Sequence, residues 1–151
     1  GCRYCMASCP YHARYFNWYD PKWPGDLAQV LTPDVSTRMR GVVEKCSFCH
    51  HRFMKAQEEA VANGRDPMDL PDGAYITACT GACPNGAITF GDLNNPKHKV
   101  HELSKSPYAF RLLERLGTDP QVYYLSKREW VRREGDNYLE NEKTGENKRQ
   151  G

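Results

Sequence analysis

Residues 2–10, Cys2-Arg3-Tyr4-Cys5-Met6-Ala7-Ser8-Cys9-Pro10, decide the reading, together with Cys46-Ser47-Phe48-Cys49 and Cys79-Thr80-Gly81-Ala82-Cys83-Pro84. These stretches hold all seven cysteines of the chain. The spacings are x2 and x3-then-proline, twice over. Three chemistries compete for such a pattern. Disulfide scaffolds use an even number of cysteines, in chains usually shorter than about 100 residues, and they rarely set thiols two residues apart. A structural zinc site takes four ligands, usually as two closely spaced pairs; Cys46 and Cys49 suit it, but the x3 pairs ending in proline do not. Iron–sulfur ligation accounts for every spacing. Its bacterial signature is C-x2-C-x2-C-x3-C-P, with the fourth cysteine serving the other cluster of a two-cluster ferredoxin. An x2 spacing curls the chain round one corner of a cubane and aims amide N–H groups at the sulfurs. The proline, with fixed φ and no N–H, then turns the chain away.

The first group is one cysteine short of that signature, and the missing one would lie two residues before Gly1. The expectation is that Gly1 is not the natural start; a true three-ligand site with a 3Fe-4S cluster is the alternative to 4Fe-4S clusters. An internal repeat supports the assignment. Cys9-Pro10-Tyr11-His12-Ala13-Arg14-Tyr15-Phe16 aligns with Cys83-Pro84-Asn85-Gly86-Ala87-Ile88-Thr89-Phe90 as C-P-x-x-A-x-x-F. Both ends of the repeat read as short strands. A duplicated unit around two clusters predicts an α+β, bacterial ferredoxin-like arrangement of cluster-binding loops, short strands and helices, with long insertions and an extended C-terminal arm.

The rest of the chain is polar. Hydrophobic residues make up 39% of 151, and mean hydropathy is −0.79. No run of about 18 apolar residues exists, so no direct membrane span is expected. A net charge of +2, from 21 basic and 19 acidic residues, gives no argument for nucleic acid. Residues 1–100 read as the ferredoxin-type domain, interrupted by insertions at 20–40 and 50–75. The first insertion is a Pro- and Asp-rich surface loop. Within the second, 50–63 read as a helix with apolar Phe53, Met54, Ala56, Ala60 and Val61 and a C-terminal Gly64. Residues 101–131 predict a helix followed by an extended segment: Ser106 as N-cap, Pro107 at the first position, Phe110, Leu112, Leu113 and Leu116 as apolar stripe, Gly117 as stop, then an extended stretch from Val122 to Leu125. Residues 132–151, charged and without apolar anchors, read as a mobile tail.

The residues around the cysteines carry a family resemblance. Gly1-Cys2-Arg3-Tyr4-Cys5-Met6-Ala7-Ser8-Cys9-Pro10-Tyr11 resembles the third cysteine motif of the four-cluster electron-transfer subunits of complex iron–sulfur molybdoenzymes. Glu44-Lys45-Cys46-Ser47-Phe48-Cys49-His50-His51-Arg52 with Ala78-Cys79-Thr80-Gly81-Ala82-Cys83-Pro84 resembles their fourth. Asn17-Trp18-Tyr19-Asp20, Pro33-Asp34-Val35, Arg40-Gly41-Val42-Val43 and Ile88-Thr89-Phe90-Gly91-Asp92-Leu93-Asn94 look like the iron–sulfur subunits of alternative complex III and of periplasmic menaquinone reductase complexes. The likeness covers about residues 1–130. It bears on the ligand sets. In a free two-cluster ferredoxin, Cys2, Cys5 and Cys83 would share one cluster and Cys9, Cys46, Cys49 and Cys79 the other. The resemblance implies instead that Cys46, Cys49 and Cys79 serve one cluster, Cys83 its neighbour, Cys2 and Cys5 a third and Cys9 a fourth, each completed from upstream.

The function expected from this is one-electron relay, with no catalytic residue, between a polytopic quinone-binding membrane subunit and a larger molybdoenzyme-like subunit or a multihaem cytochrome. The resemblance places such subunits on the periplasmic face, membrane-associated through their partners. A stand-alone two-cluster ferredoxin and a zinc-binding interaction module are the competing readings. Other residues have plainer expected roles. His50 and His51 begin a helix over a cluster. Lys97, His98, Lys99 and His101 form a solvated basic face. Lys45 and Arg52 either offset cluster charge or face solvent. Seven aromatics between Tyr4 and Trp23 exceed what one cluster shell needs, so part of them should form a subunit interface.

Overall fold

The computed structural model describes residues 1–136. They form two compact units, one of Gly1–Leu70 with Ala74–Ala82, the other of Pro71–Gly73 with the chain from Cys83 on. Every cysteine except Cys83 lies in the first unit.

The first unit begins with a short helix, α1 (Tyr4–Ser8), that carries Cys5. Strand β1 (Tyr15–Phe16) pairs antiparallel with β2 (Val43–Glu44), with Tyr15 opposite Glu44 and Phe16 opposite Val43. The ladder continues through Asn17 N–H to the Val42 carbonyl at 2.9 Å and Gly41 N–H to the Asn17 carbonyl at 2.8 Å. Asn17 Nδ2 also donates to Glu44 at 2.7 Å, and Arg40 N–H to the Asp20 carboxylate at 3.0 Å. The Pro- and Asp-rich loop is thus pinched shut at its base and carries a 3₁₀ turn at Gly25–Val30. Because β2 runs straight into Cys46, the pinch also sets the approach to the second cysteine loop against the strand that follows the first.

Helix α2 (His50–Ala62) buries Ala56 and Ala60, four residues apart on one face. Met54 and Val61, expected on the apolar face, are exposed, because they stand on the opposite side of the turn. The helix ends as the sequence predicts. Gly64 lies at φ 67°, its N–H bonds to the Val61 carbonyl at 2.9 Å, and Arg65 N–H bonds to the Ala60 carbonyl at 2.8 Å. That pair of bonds is the Schellman closure, which needs the left-handed residue that glycine adopts without strain. Gln57 Nε2 then holds the following loop at the Pro67 carbonyl, 3.1 Å away. Helix α3 (Ala78–Ala82) closes the unit.

The second unit departs from the sequence expectation. The segment beginning at Ser106 is no helix. The helix lies earlier, α4 (Lys99–Ser104), and Ser106 and Pro107 open a turn closed by Ala109 N–H on the Ser106 carbonyl at 2.9 Å. Strand β3 (Ala109–Phe110) follows and pairs antiparallel with β4 (Tyr124–Leu125). Arg111 binds Glu114 and Asp119 together and lies over the Tyr123 ring, curling the intervening chain into a 3₁₀ turn at Glu114–Leu116. The ladder and this clamp override a local helical signal. Gly117 keeps its role as a stop, at φ 65°. Residues 88–90, expected as a strand, belong to no sheet among the described residues.

Helix α5 (Glu129–Asp136) occupies the start of the segment read as a tail; the remainder of that expectation lies outside the described residues. It packs on β3. Leu113 N–H bonds to the Gly135 carbonyl at 3.0 Å, and a Cβ at Gly135 would collide with the Phe110 ring. Arg132 lies over the Tyr108 ring. Among the described residues no helix is long and apolar enough to cross a membrane.

Candidate metal centre

All seven cysteines are free thiols: Cys9, Cys49 and Cys83 are half-buried, and Cys2, Cys5, Cys46 and Cys79 are exposed. The backbone around them is built of left-handed residues. Arg3 (φ 66°) precedes α1, and its carbonyl accepts from Met6 N–H at 3.0 Å. Phe48 (φ 52°) and Cys49 (φ 54°) curl the second loop into α2. Non-glycine residues enter this region at a cost, so two in succession mark a loop shaped for something other than its own chain.

The internal repeat is conformational as well as compositional. In the first copy His12 lies at φ 50° and its N–H bonds to the Cys9 carbonyl at 3.2 Å; in the second Gly86 lies at φ 58° and bonds to the Cys83 carbonyl at 3.2 Å. The turn brings the next amide onto the sulfur. Ala87 N–H donates to Cys83 Sγ at 3.3 Å. In both copies the fifth residue's amide, Ala13 or Ala87, is the main cause holding the thiol below its usual pKa, against a smaller opposing effect of burial. Arg14 adds to the effect on Cys9.

The excursion between Cys49 and Cys79 returns to where it left. Ala78 N–H donates to Cys49 Sγ at 3.3 Å, and Phe48 N–H to Cys46 Sγ at 3.4 Å. Arg52, from the first turn of α2, donates to the Ile76 carbonyl at 3.0 Å, and Phe53 packs its ring on Tyr75, 5.5 Å between centroids. Burial, and then the Cys49 sulfur, push the Tyr75 phenol up. Thr77 is buried and bonds to Cys79 Sγ at 3.1 Å; this is the largest cause lowering the Cys79 thiol. Cys46, Cys49 and Cys79 therefore share one neighbourhood. Through its bond to Ile76, Arg52 staples the two halves of that neighbourhood. Among the described residues Lys45 reaches only the Cys46 carbonyl.

Among the described residues, no three of His, Cys, Asp and Glu converge as ligands of a single ion would. Thiolates that serve a cluster bind separate irons and need not meet at one point. The donor set, with amides and a hydroxyl aimed at the sulfurs, fits such a group; among the described residues no comparable donor meets Cys2 or Cys5. The basic run is corrected at its two histidines, while Lys97 and Lys99 are exposed as expected. His98 is buried, its Nδ1 accepting from Asp92 N–H at 3.0 Å. His101 is bonded on both ring nitrogens, to the Leu93 carbonyl at 2.6 Å and to Lys105 Nζ at 2.7 Å. These contacts belong to folding. The cap signal that a reading of the run as a solvated face passes over is Asp72, which accepts from Lys99 N–H at 3.1 Å across 27 residues of sequence.

No model of a known protein family matches the chain. Individual relatives do. The chain is similar along most of its length to iron–sulfur subunits of oxidoreductases. In particular, it is 76% identical over 143 residues to the menaquinone reductase iron–sulfur cluster-binding subunit of Nitratidesulfovibrio vulgaris, covering 95% of this chain and 56% of that one. It is 40% identical over 127 residues to an Hdr-like menaquinol oxidoreductase iron–sulfur subunit of Archaeoglobus fulgidus, covering 82% and 42%. It is 33% identical over 125 residues to the B subunit of polysulfide reductase from Wolinella succinogenes, covering 83% and 46%. The chain spans about half the length of these relatives.

Proposed function

We propose that this chain is part of an electron-relay subunit whose cysteine thiolates hold iron–sulfur clusters. The observation that carries the reading is the repeated turn at Cys9 and Cys83, with the Cys49 and Cys79 bonds beside it: free thiols met by hydrogen-bond donors. Iron–sulfur clusters bind through thiolates and accept one electron with the charge spread over several atoms. The chain's own part is to present thiolates, to orient N–H and O–H donors at them and to set the surroundings. The names of the relatives support the cofactor and the quinone-linked setting.

The finer reading is that the clusters are of the 4Fe-4S type in a ferredoxin-like arrangement. Cys46, Cys49 and Cys79 serve one of them, which the Ala78–Cys49 bond supports. Cys83 serves its neighbour, and Cys2, Cys5 and Cys9 serve others completed from outside this stretch. The electrons pass between a quinone site in a membrane subunit and a larger oxidoreductase subunit or multihaem cytochrome on the periplasmic face. Tyr4 (76% exposed), Tyr15 and Tyr19 (84%) remain largely exposed, and we assign them to the face that meets a partner. The test is anaerobic purification of the complex, with iron and sulfide analysis and electron paramagnetic resonance. Iron and acid-labile sulfide in equal amounts, with reducible cluster signals, support the reading. Zinc in their place, or thiols bridged to one another, overturns it.

A further inference from the structure

The hydroxyl of Thr77 has an unusually complete set of partners. The residue is 2% exposed and stands just before α3. Its Oγ1 lies 3.1 Å from Cys79 Sγ, 2.7 Å from Thr80 Oγ1 and 3.4 Å from the Thr80 amide nitrogen. A hydroxyl gives one hydrogen and takes two. The Thr80 amide can only give, so it fills one lone pair. A cysteine that ligates iron is a thiolate and can only accept. The Thr77 hydrogen then goes to Cys79 Sγ, and Thr80 gives its hydroxyl hydrogen to Thr77. Every site on the oxygen is filled in this one arrangement. The opposite arrangement would leave the thiolate facing the oxygen's lone pair.

We propose that Thr77 is a positioning residue that sets the reduction potential of the cluster Cys79 ligates, through an O–H···S bond to that sulfur. The inference rests on the electron-relay reading above and goes one step further, to a side chain that controls the relay. Reduction adds negative charge that spreads onto the ligand sulfurs. A donor fixed on such a sulfur therefore stabilises the reduced form more than the oxidised one and raises the potential. Burial makes the effect specific, because no water can take the hydroxyl's place and the bond acts in a low local dielectric. Cys46, Cys49 and Cys83 take their bonds from the backbone amides of Phe48, Ala78 and Ala87, which no side-chain replacement removes. At Cys79 the strongest donor is the Thr77 side chain, with smaller contributions from the Thr80 amide and hydroxyl, and valine has the shape of threonine without its hydrogen.

The test uses the whole complex, purified anaerobically, with Thr77→Val and Thr77→Ser compared against the unaltered protein by redox titration under paramagnetic resonance and by iron content. In Thr77→Val the midpoint of one cluster falls while the others stay, and Thr77→Ser keeps all of them. A valine variant with full iron content and unmoved midpoints overturns the proposal. Valine also drops the bond from the Thr80 amide and can loosen α3, so a structure of the unaltered, iron-loaded complex gives a second reading. Thr77 Oγ1 within hydrogen-bond distance of an iron-bound Cys79 Sγ supports the proposal, and an Oγ1 turned away overturns it. An unaltered complex without iron would instead sink the electron-relay reading, before any variant is made.

Discussion

At the scale of single residues, His12 and Gly86 do the same work with different chemistry. Both hold a left-handed turn that delivers the following amide toward a cysteine sulfur. Glycine enters this region freely, whereas another residue loses roughly 1–2 kcal/mol there. Nothing lies within 4 Å of a Cβ at Gly86, so strain alone decides a substitution. Gly86→Ala should destabilise the folded chain by about 1 kcal/mol, and His12→Gly should stabilise it or leave it unchanged. Thermal unfolding of the iron-loaded complex measures both; an unshifted Gly86→Ala, or a clearly destabilised His12→Gly, would show that the side chains rather than the turn matter. The repeat itself is legible in the sequence as C-P-x-x-A. Its purpose is not, since a small residue at the fifth position says nothing of where its amide points.

At the scale of elements, long-range contacts decided what local signals could not. Helix α2 and its closing Gly64 were readable, because capping is a matter between neighbours. The Ser106–Gly117 stretch carries a good cap, a proline and an apolar stripe, yet it forms a turn and a strand, because β4 and the Arg111 clamp reach it from farther along. Helix α5 escapes a sequence reading for the converse reason. Ser126-Lys127-Arg128-Glu129 has the form of a capping box, and Ser126 Oγ accepts from Arg128 N–H at 3.2 Å, but few apolar residues follow. Its anchor is a tertiary contact, Phe110 against the bare Cα of Gly135. The packing of α4 offers a sharper check. A Cβ at Gly91 would meet Val100 Cγ2 at 2.9 Å and His98 Nδ1 at 3.1 Å. Gly91→Ala should therefore cost about 1–3 kcal/mol by overpacking. Chemical denaturation of the purified complex reads the loss, and an unchanged midpoint would mean that α4 gives way freely.

At the scale of the whole molecule, the described residues bury little. Only Ala56 and Ala60 among apolar side chains, and Thr77 and His98 among polar ones, are buried, and no large side chain is fully enclosed. A chain of this size normally hides most of the surface it exposes when unfolded. What stands in for a core is a set of thiols with donors aimed at them. On the cluster-binding reading proposed above, the clusters supply folding free energy, as metals do in other small domains. Removing iron with a chelator under reducing conditions should abolish cooperative thermal unfolding, followed by circular dichroism, and restoring iron and sulfide should bring it back. A cooperative transition in the iron-free protein would show that hydrophobic packing suffices.

The cysteine spacing by itself pointed to iron–sulfur chemistry and marked the cysteine loops and the repeat, because an x2 or x3 interval limits where neighbouring thiols can point. Tertiary structure alone decided how the chain returns after Cys49 and that the Ala78 amide reaches the Cys49 sulfur. The β1–β2 pairing sets the approach to Cys46 against the strand that follows the first loop, and the bonds from Ala78 and Arg52 close a long excursion around Cys49 and Cys79. Those contacts join residues far apart in the chain, and no local propensity encodes the return of a loop to its origin.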